Sequence, residues 1–303
     1  MPNNKVFMRK IKVFAPAKLN LYLNILGKRP DGFHNIETIF EKIDLLDEIT
    51  IKEKGKGLKV KVGTADCGQG KKNIVYKAVQ EIFKEIGVTL NLDIEIKKNI
   101  PVSAGLGGGS SDAASALKAI NDIFKLGIPR GKLLSIATGI GKDVPFFMMD
   151  ASFAIAKGVG ERLTKINLDK DLFHVAIKPP VSFSTKAMYK KVDRCGFFCR
   201  THSLKPALNA LKNMDVKALE KNYYNAFESA LGRNSVYIDR IKALLAHSGV
   251  EHSLLSGSGS SVFCTFRNKK DAEKVFKKIP KRKGMRVFCV KTYKGGIYGD
   301  NRG

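Results

Sequence analysis

Four glycines fall within five residues, at Gly105, Gly107, Gly108 and Gly109, inside the stretch PVSAGLGGGSSDAA that begins at Pro101. Glycine loses more backbone freedom on folding than any other residue, so a run this dense must be offset by something other than packing. Just before it, the alternation of Leu90, Leu92, Ile94 and Ile96 predicts a half-buried strand. Just after it, Ala113, Ala116, Leu117 and Ile120 recur at helical spacing and predict a helix over about 112–124. A glycine loop leading from strand to helix is built to hold an anion. Without Cβ atoms the backbone can approach a phosphate closely, and the first N–H groups of the helix are unpaired and lie at the positive end of its dipole. The candidate phosphate-binding residues are therefore Pro101, Val102, Ser103, Ala104, Gly105, Leu106, Gly107, Gly108, Gly109, Ser110 and Ser111, the two serines adding hydroxyls for a phosphate or magnesium. The wording matches neither G-x-x-x-x-G-K-[ST] nor G-x-G-x-x-G.

Strands and helices are mixed along the whole chain. Strands are predicted at 10–14 and 19–26, broken by Pro16, and the second closes on a turn at 27–32. Further strands follow at 40–54 and 58–62. Asn73 reads as the N-cap of a helix that Gly87 stops, and another helix is predicted at 130–138. Around Asp150 the order restarts, with strands at 151–156 and 174–178 and helices at 185–192, 205–212, 216–223 and 235–248. A second glycine/serine loop at 255–261 leads into a strand at 262–266, and a helix at 270–278 and a strand at 285–292 finish the chain. This order implies an α+β protein of two intimately packed domains, 1–150 and 151–303.

Lys and Arg number 54 against 28 Asp and Glu, a net charge of +26, which favours anionic partners: nucleic acid, acidic lipid or polyphosphate metabolites. The lysines are spread over the chain, and the densest clusters, 52–61 and 277–283, carry no interleaved aromatics for base stacking. A basic RNA-binding protein is thus the alternative that charge alone leaves open. No apolar run approaches the ~20 residues of a membrane span, and residues 1–10 do not read as a secretory signal. The five cysteines, Cys67, Cys195, Cys199, Cys264 and Cys289, form no C-x-x-C pair, so neither a disulfide framework nor a zinc site is expected. A reducing, cytoplasmic setting follows.

PVSAGLGGGSSDAASAL resembles the second signature motif of the galactokinase, homoserine kinase, mevalonate kinase and phosphomevalonate kinase superfamily. PAKLNLYLNILGKRPDGFHNIETIF (16–40), GKDVPFF (141–147) and LSGSGSSVFCTF (255–266) resemble, in order, the blocks of one branch, which acts on a CDP-linked methylerythritol. The resemblance implies a two-domain kinase fold, with a ribosomal-S5-like N-terminal domain and a C-terminal α/β sandwich. It also implies ATP and magnesium, and transfer of a phosphoryl group to the 2-hydroxyl of that substrate in non-mevalonate isoprenoid synthesis. The partners would be small molecules, with no membrane and no specific nucleic acid; monomer or dimer stays open. Another kinase of the superfamily, for mevalonate or homoserine, is the alternative within the class.

Lys18, in an otherwise apolar strand, and Asp143, among apolar neighbours, are the implied catalytic pair. From the residues alone Asp143 could equally be a helix N-cap before Pro145. Asn20 shares a strand face with Lys18 and is placed by the resemblance at the erythritol part. Phe33 and His34, matching a Gly-Tyr-His pattern with Phe for Tyr, are implied to hold cytosine. Phe183 is a second stacking face or a core residue, and Asn73, Lys97 and Lys98 are implied on the adenine side. Lys142 departs from the branch's usual alanine and would add a cation beside Asp143.

Overall fold

A computed structural model describes residues 9–63, 68–196, 198 and 202–298. Cys67 and Cys199 lie outside these residues; Cys264 is a buried thiol, Cys195 an exposed one. The chain opens with two long antiparallel strands, β1 (Lys10–Lys28) and β2 (His34–Glu53), followed by β3 (Leu58–Val62), α1 (Ile74–Ile86), β4 (Leu92–Lys97) and α2 (Gly108–Ile123). Next come α3 (Arg130–Ile140), α4 (Val144–Met148), β5 (Phe153–Gly158), β6 (Arg162–Ile166) and β7 (Phe173–Lys178). Helices α5 (Thr185–Cys195), α6 (Leu204–Lys212), α7 (Val216–Lys221), α8 (Ala226–Ser229) and α9 (Ser235–His247) follow. Last are β8 (Leu254–Leu255), β9 (Val262–Phe266), α10 (Lys269–Lys278) and β10 (Arg286–Lys291).

The first sheet runs β3-β4-β2-β5-β6 with β1 paired along β2, and the second runs β10-β7-β9-β8. The division expected at 150/151 falls within the first sheet's set of strands, because β5 and β6 pair into it and the second sheet starts only at β7. Pro16 does not break β1. It sits at a register shift between Pro16 and Ala17, where the ladder slips and a missing N–H is tolerated. Helix α2 starts four residues earlier than its apolar spacing predicts, inside the glycine run. Its first turn needs no intrahelical donors, so glycine costs less there than in a helix interior.

One buried cluster joins Leu19, Ile39 and Phe153 of the first sheet to Ala176, Leu254 and Phe263 of the second. At about 1.5–3 kcal/mol for each large apolar side chain withdrawn from water, this shared core sets the two sheets against each other by packing. Helices α1 and α2 cover the first sheet. Val75, Ala78, Val79, Ile82 and Phe83 form the buried stripe of α1, whose start is capped by Asn73 and whose end is closed by Gly87 at φ 69°.

Candidate active site

A cavity of 430 Å³ opens between the glycine loop, the middle of β1 and the loop before β9. The loop is pinned from both sides. The Lys18 N–H donates to the Leu106 carbonyl at 2.9 Å, the Ser261 N–H to the Ala104 carbonyl at 3.1 Å, and the Ser256 hydroxyl to the Gly105 carbonyl at 3.0 Å. Glycine is obligatory at two points. Gly105, at φ 76°, would place a Cβ 1.9 Å from the Ser256 oxygen, and Gly107, at φ 70°, would place one 2.9 Å from Lys18 Cγ. Gly107 caps α2 without a side chain, so the first N–H groups of that helix face the cavity as an anion cradle. The Ser111 hydroxyl in that first turn is buried without a hydrogen-bond partner.

Lys18 is 3 % exposed, and its ammonium lies 3.7 Å from Asp143 Oδ2. It also donates to Asn20 Oδ1 and sits 5.2 Å from the centre of the Phe40 ring. Burial lowers its pKa, and the Asp143 carboxylate pushes back. Asn20 is locked in turn, its amide donating to Thr38 Oγ1 at 2.8 Å and that hydroxyl to the Tyr22 carbonyl at 2.5 Å. A register shift between Asn20 and Tyr22 bends β1 just past this pair. Asp143 stands at the N-terminus of α4 but its side chain caps nothing, which leaves the carboxylate to Lys18 and the cavity.

Beside Gly108, at the start of α2, Lys98 bridges two buried carboxylates, Asp47 and Asp112, the latter at 2.7 Å. Burial pulls the Lys98 ammonium down, but the two carboxylates outweigh it and raise its pKa. Asp47 is held further by the N–H groups of Asn99 and Ile100, at 2.6 and 2.8 Å. Asp112 faces the cavity with its Oδ1 unpartnered, and burial raises its pKa.

The other end of the cavity is aromatic. Tyr189 of α5 lines it and stacks on His34 with ring centres 4.6 Å apart. Burial, with the Asp143 charge second, raises the Tyr189 hydroxyl above the ordinary phenol range. His34 lies behind that ring, its Nε2 2.6 Å from Asp193 Oδ1.

Two family models match the chain: the GHMP kinases N terminal domain over residues 73–158 and the GHMP kinases C terminal domain over residues 206–284. The chain is 35 % identical over 291 residues to the 4-diphosphocytidyl-2-C-methyl-D-erythritol kinase of Geobacter sp. strain M21, covering 94 % of this chain and all of the relative. It belongs to that kinase family. The kinase of the same name from Clostridioides difficile strain 630 is 36 % identical over 289 residues, 95 % of this chain and 97 % of the relative. A crystal structure of 4-(cytidine 5'-diphospho)-2C-methyl-D-erythritol kinase matches with a TM-score of 0.77 at 28 % identity, over 93 % of this chain and 98 % of that one. Homoserine kinase from Cytophaga hutchinsonii shares the fold, with a TM-score of 0.70 at 18 % identity over 97 % of both chains.

Of the residues singled out in the sequence, Lys18, Asn20, Asn73, Lys98, Asp143 and loop residues 101–110 line this same cavity. Ser111 is buried one residue further on. Four other expected residues do not line the cavity: His34 lies behind Tyr189, and three stand elsewhere. Phe33 is exposed at the rim of the turn, its ring under the Lys142 ammonium at 4.7 Å, so Lys142 reaches toward Phe33 while the ion pair of Asp143 is with Lys18. Phe183 is buried in the core beside Gly259 and does not line the cavity. Lys97 points outward to Glu48 at 2.8 Å. Sequence reasoning missed Tyr189 and Thr185 on the cavity wall; Gly257 and Ser258, also on it, belong to the glycine-rich block 256–261 that the resemblance places beside the active site. The SGSG turn was the signal for Gly257, whose Cβ would stand 3.1 Å from Lys18 Nζ. For Tyr189 the only signal was an aromatic in the first turns of a helix after the Pro-Pro dipeptide at 179–180.

Proposed function

We propose that this chain transfers the γ-phosphoryl group of ATP to the 2-hydroxyl of 4-diphosphocytidyl-2-C-methyl-D-erythritol. The observation that carries the reading is the Lys18–Asp143 pair, 3.7 Å apart and facing the glycine cradle across one cavity. Phosphoryl transfer asks a protein for positioning, charge neutralisation and a group to receive or orient the hydroxyl proton. The N-terminus of α2 and the loop before it would hold the ATP phosphates. Asp143 would orient the 2-hydroxyl and accept its proton as the new O–P bond forms and the bond from the γ-phosphorus to the β,γ-bridging oxygen breaks. The Lys18 ammonium would keep Asp143 ionised and offset charge on the moving phosphoryl group.

Magnesium fits as an ion carried on the nucleotide. Among the described residues no three His, Cys, Asp or Glu side chains converge to cage a metal. The unpartnered Ser111 hydroxyl, with Ser110 beside it, supplies oxygen donors where the phosphates would lie. Those serines would hold the ion together with ATP oxygens, and it would neutralise phosphate charge. At the aromatic end, Tyr189 backed by His34 offers a stacking face for cytosine, with Asn20 at the sugar-alcohol.

The experiment is a coupled kinase assay offering 4-diphosphocytidyl-2-C-methyl-D-erythritol, mevalonate and homoserine in parallel. Turnover confined to the CDP-linked acceptor supports the reading. Comparable turnover of mevalonate or homoserine rejects it.

A further inference from the structure

Lys42 stands directly across the ladder from Lys18, yet its ammonium points into a different cavity, of 420 Å³. Phe147 is the partition: its ring tip abuts Gly107 of the glycine loop, and the same residue lines the second cavity. Lys42 is 8 % exposed. It donates to the Met149 carbonyl at 2.6 Å and lies 5.3 Å from the centre of the Phe146 ring. Neither is a counter-charge. A buried ammonium with three donors and one acceptor is an arrangement protein interiors avoid, because the charge has lost its water and gained no anion.

The rest of the lining fits an anion that the chain does not itself provide. Lys118, Lys165 and Lys294 join Lys42, against only Asp150 and Asp169. Asp150 is already engaged by Lys118 at 3.0 Å and Arg130 at 3.4 Å, and Lys294 by Asp171 at 2.8 Å. Lys165 has no acidic partner among the described residues. Phe147, Met149, Phe153 and Ile297 supply apolar wall beside these charges.

We infer that this cavity is a second anion site, distinct from the catalytic cleft, which takes the phosphate group of a small phosphorylated ligand between Lys42 and Lys165. The inference goes beyond the catalytic reading and stands whether or not that reading holds. Burial, reinforced by Lys118 and opposed by Asp150, brings the Lys42 pKa down to about 7. An arriving phosphate restores the ammonium, so binding near neutral pH draws a proton from solution.

The test is calorimetric titration of the full chain with pyrophosphate, the catalytic cleft first saturated with a non-hydrolysable ATP analogue. The expected result is one pyrophosphate per chain, with a heat that changes with the ionisation enthalpy of the buffer. Lys42→Met should weaken binding about tenfold or more, as loss of a charge-assisted contact does. Lys165→Ala, at the surface, should weaken it severalfold without touching the fold. Titrating phenyl phosphate beside inorganic phosphate separates the sources: tighter phenyl phosphate assigns an organic phosphate ester, equal affinity assigns free phosphate. No binding once the cleft is filled, or unchanged affinity in Lys42→Met, overturns the inference.

Discussion

Replacing Lys42 by Met keeps the length of the side chain beside Phe146 and removes its charge. The drop in its pKa from 10.5 to about 7 corresponds, at 1.36 kcal/mol per pH unit, to roughly 5 kcal/mol against the folded state when the lysine is protonated. The sign follows from proton counts. Between pH 7 and 10.5 the unfolded chain holds the Lys42 proton and the folded chain does not, so wild-type stability rises with pH across that window. Lys42 therefore destabilises fully below about pH 7 and not at all above about pH 10.5. Met leaves the Met149 carbonyl without its donor, which returns about 1–3 kcal/mol. Lys42→Met should accordingly be more stable than wild type by about 2–4 kcal/mol at pH 7. By pH 9.5 that advantage should shrink by about 3 kcal/mol. Urea unfolding at both pH values, in phosphate-free buffers, reads the difference directly. A Lys42→Met protein less stable than wild type at pH 7, or a difference that ignores pH, refutes the reasoning.

Gly105→Ala puts a Cβ 1.9 Å from the Ser256 oxygen at a left-handed φ, so the cradle must shift by about an ångström. Turnover should fall about a hundredfold, while Gly131→Ala, in open space on α3, should leave it unchanged in the same assay. Tyr189→Ala removes the ring that both lines the cavity and stacks on His34, and the KM for the CDP-linked substrate should rise about tenfold with that for ATP unmoved. Equal effects on the two KM values would remove cytosine from that end of the cavity. Lys98→Met strands Asp47 and Asp112 without a counter-charge and should cost about 3–5 kcal/mol in urea unfolding, a loss that a wild-type unfolding curve would contradict.

Much of this arrangement was legible in the sequence where local physics decides it. The Asn73 cap, the Gly87 stop and the stripe of α1 are set by residues within one helix and came out within a residue of the structure. The strands at 58–62 and 262–266 coincide with β3 and β9. Long-range packing decided the rest. Pro16 looks like a break unless the partner strand's register is known. The strand β6 is mostly polar because it is mostly exposed and carries little hydrophobic signal. Helix α4 hides behind Pro145, which opens a helix as readily as it ends one. Lys18 and Asp143 are 125 positions apart, so neither spacing nor periodicity could pair them; the motif resemblance did. That Phe183 sits in the core while Tyr189 lines the cavity has a similar cause: which aromatic faces the cavity depends on how α5 leaves the second sheet, and that is written in no short window of residues.

The most direct measurement is single-turnover transfer from ATP to 4-diphosphocytidyl-2-C-methyl-D-erythritol in Asp143→Ala, with nucleotide affinity measured on the same preparation. The account predicts that transfer slows by about 10²–10⁴-fold while nucleotide binding stays at the wild-type value. Transfer at close to the wild-type rate would contradict it.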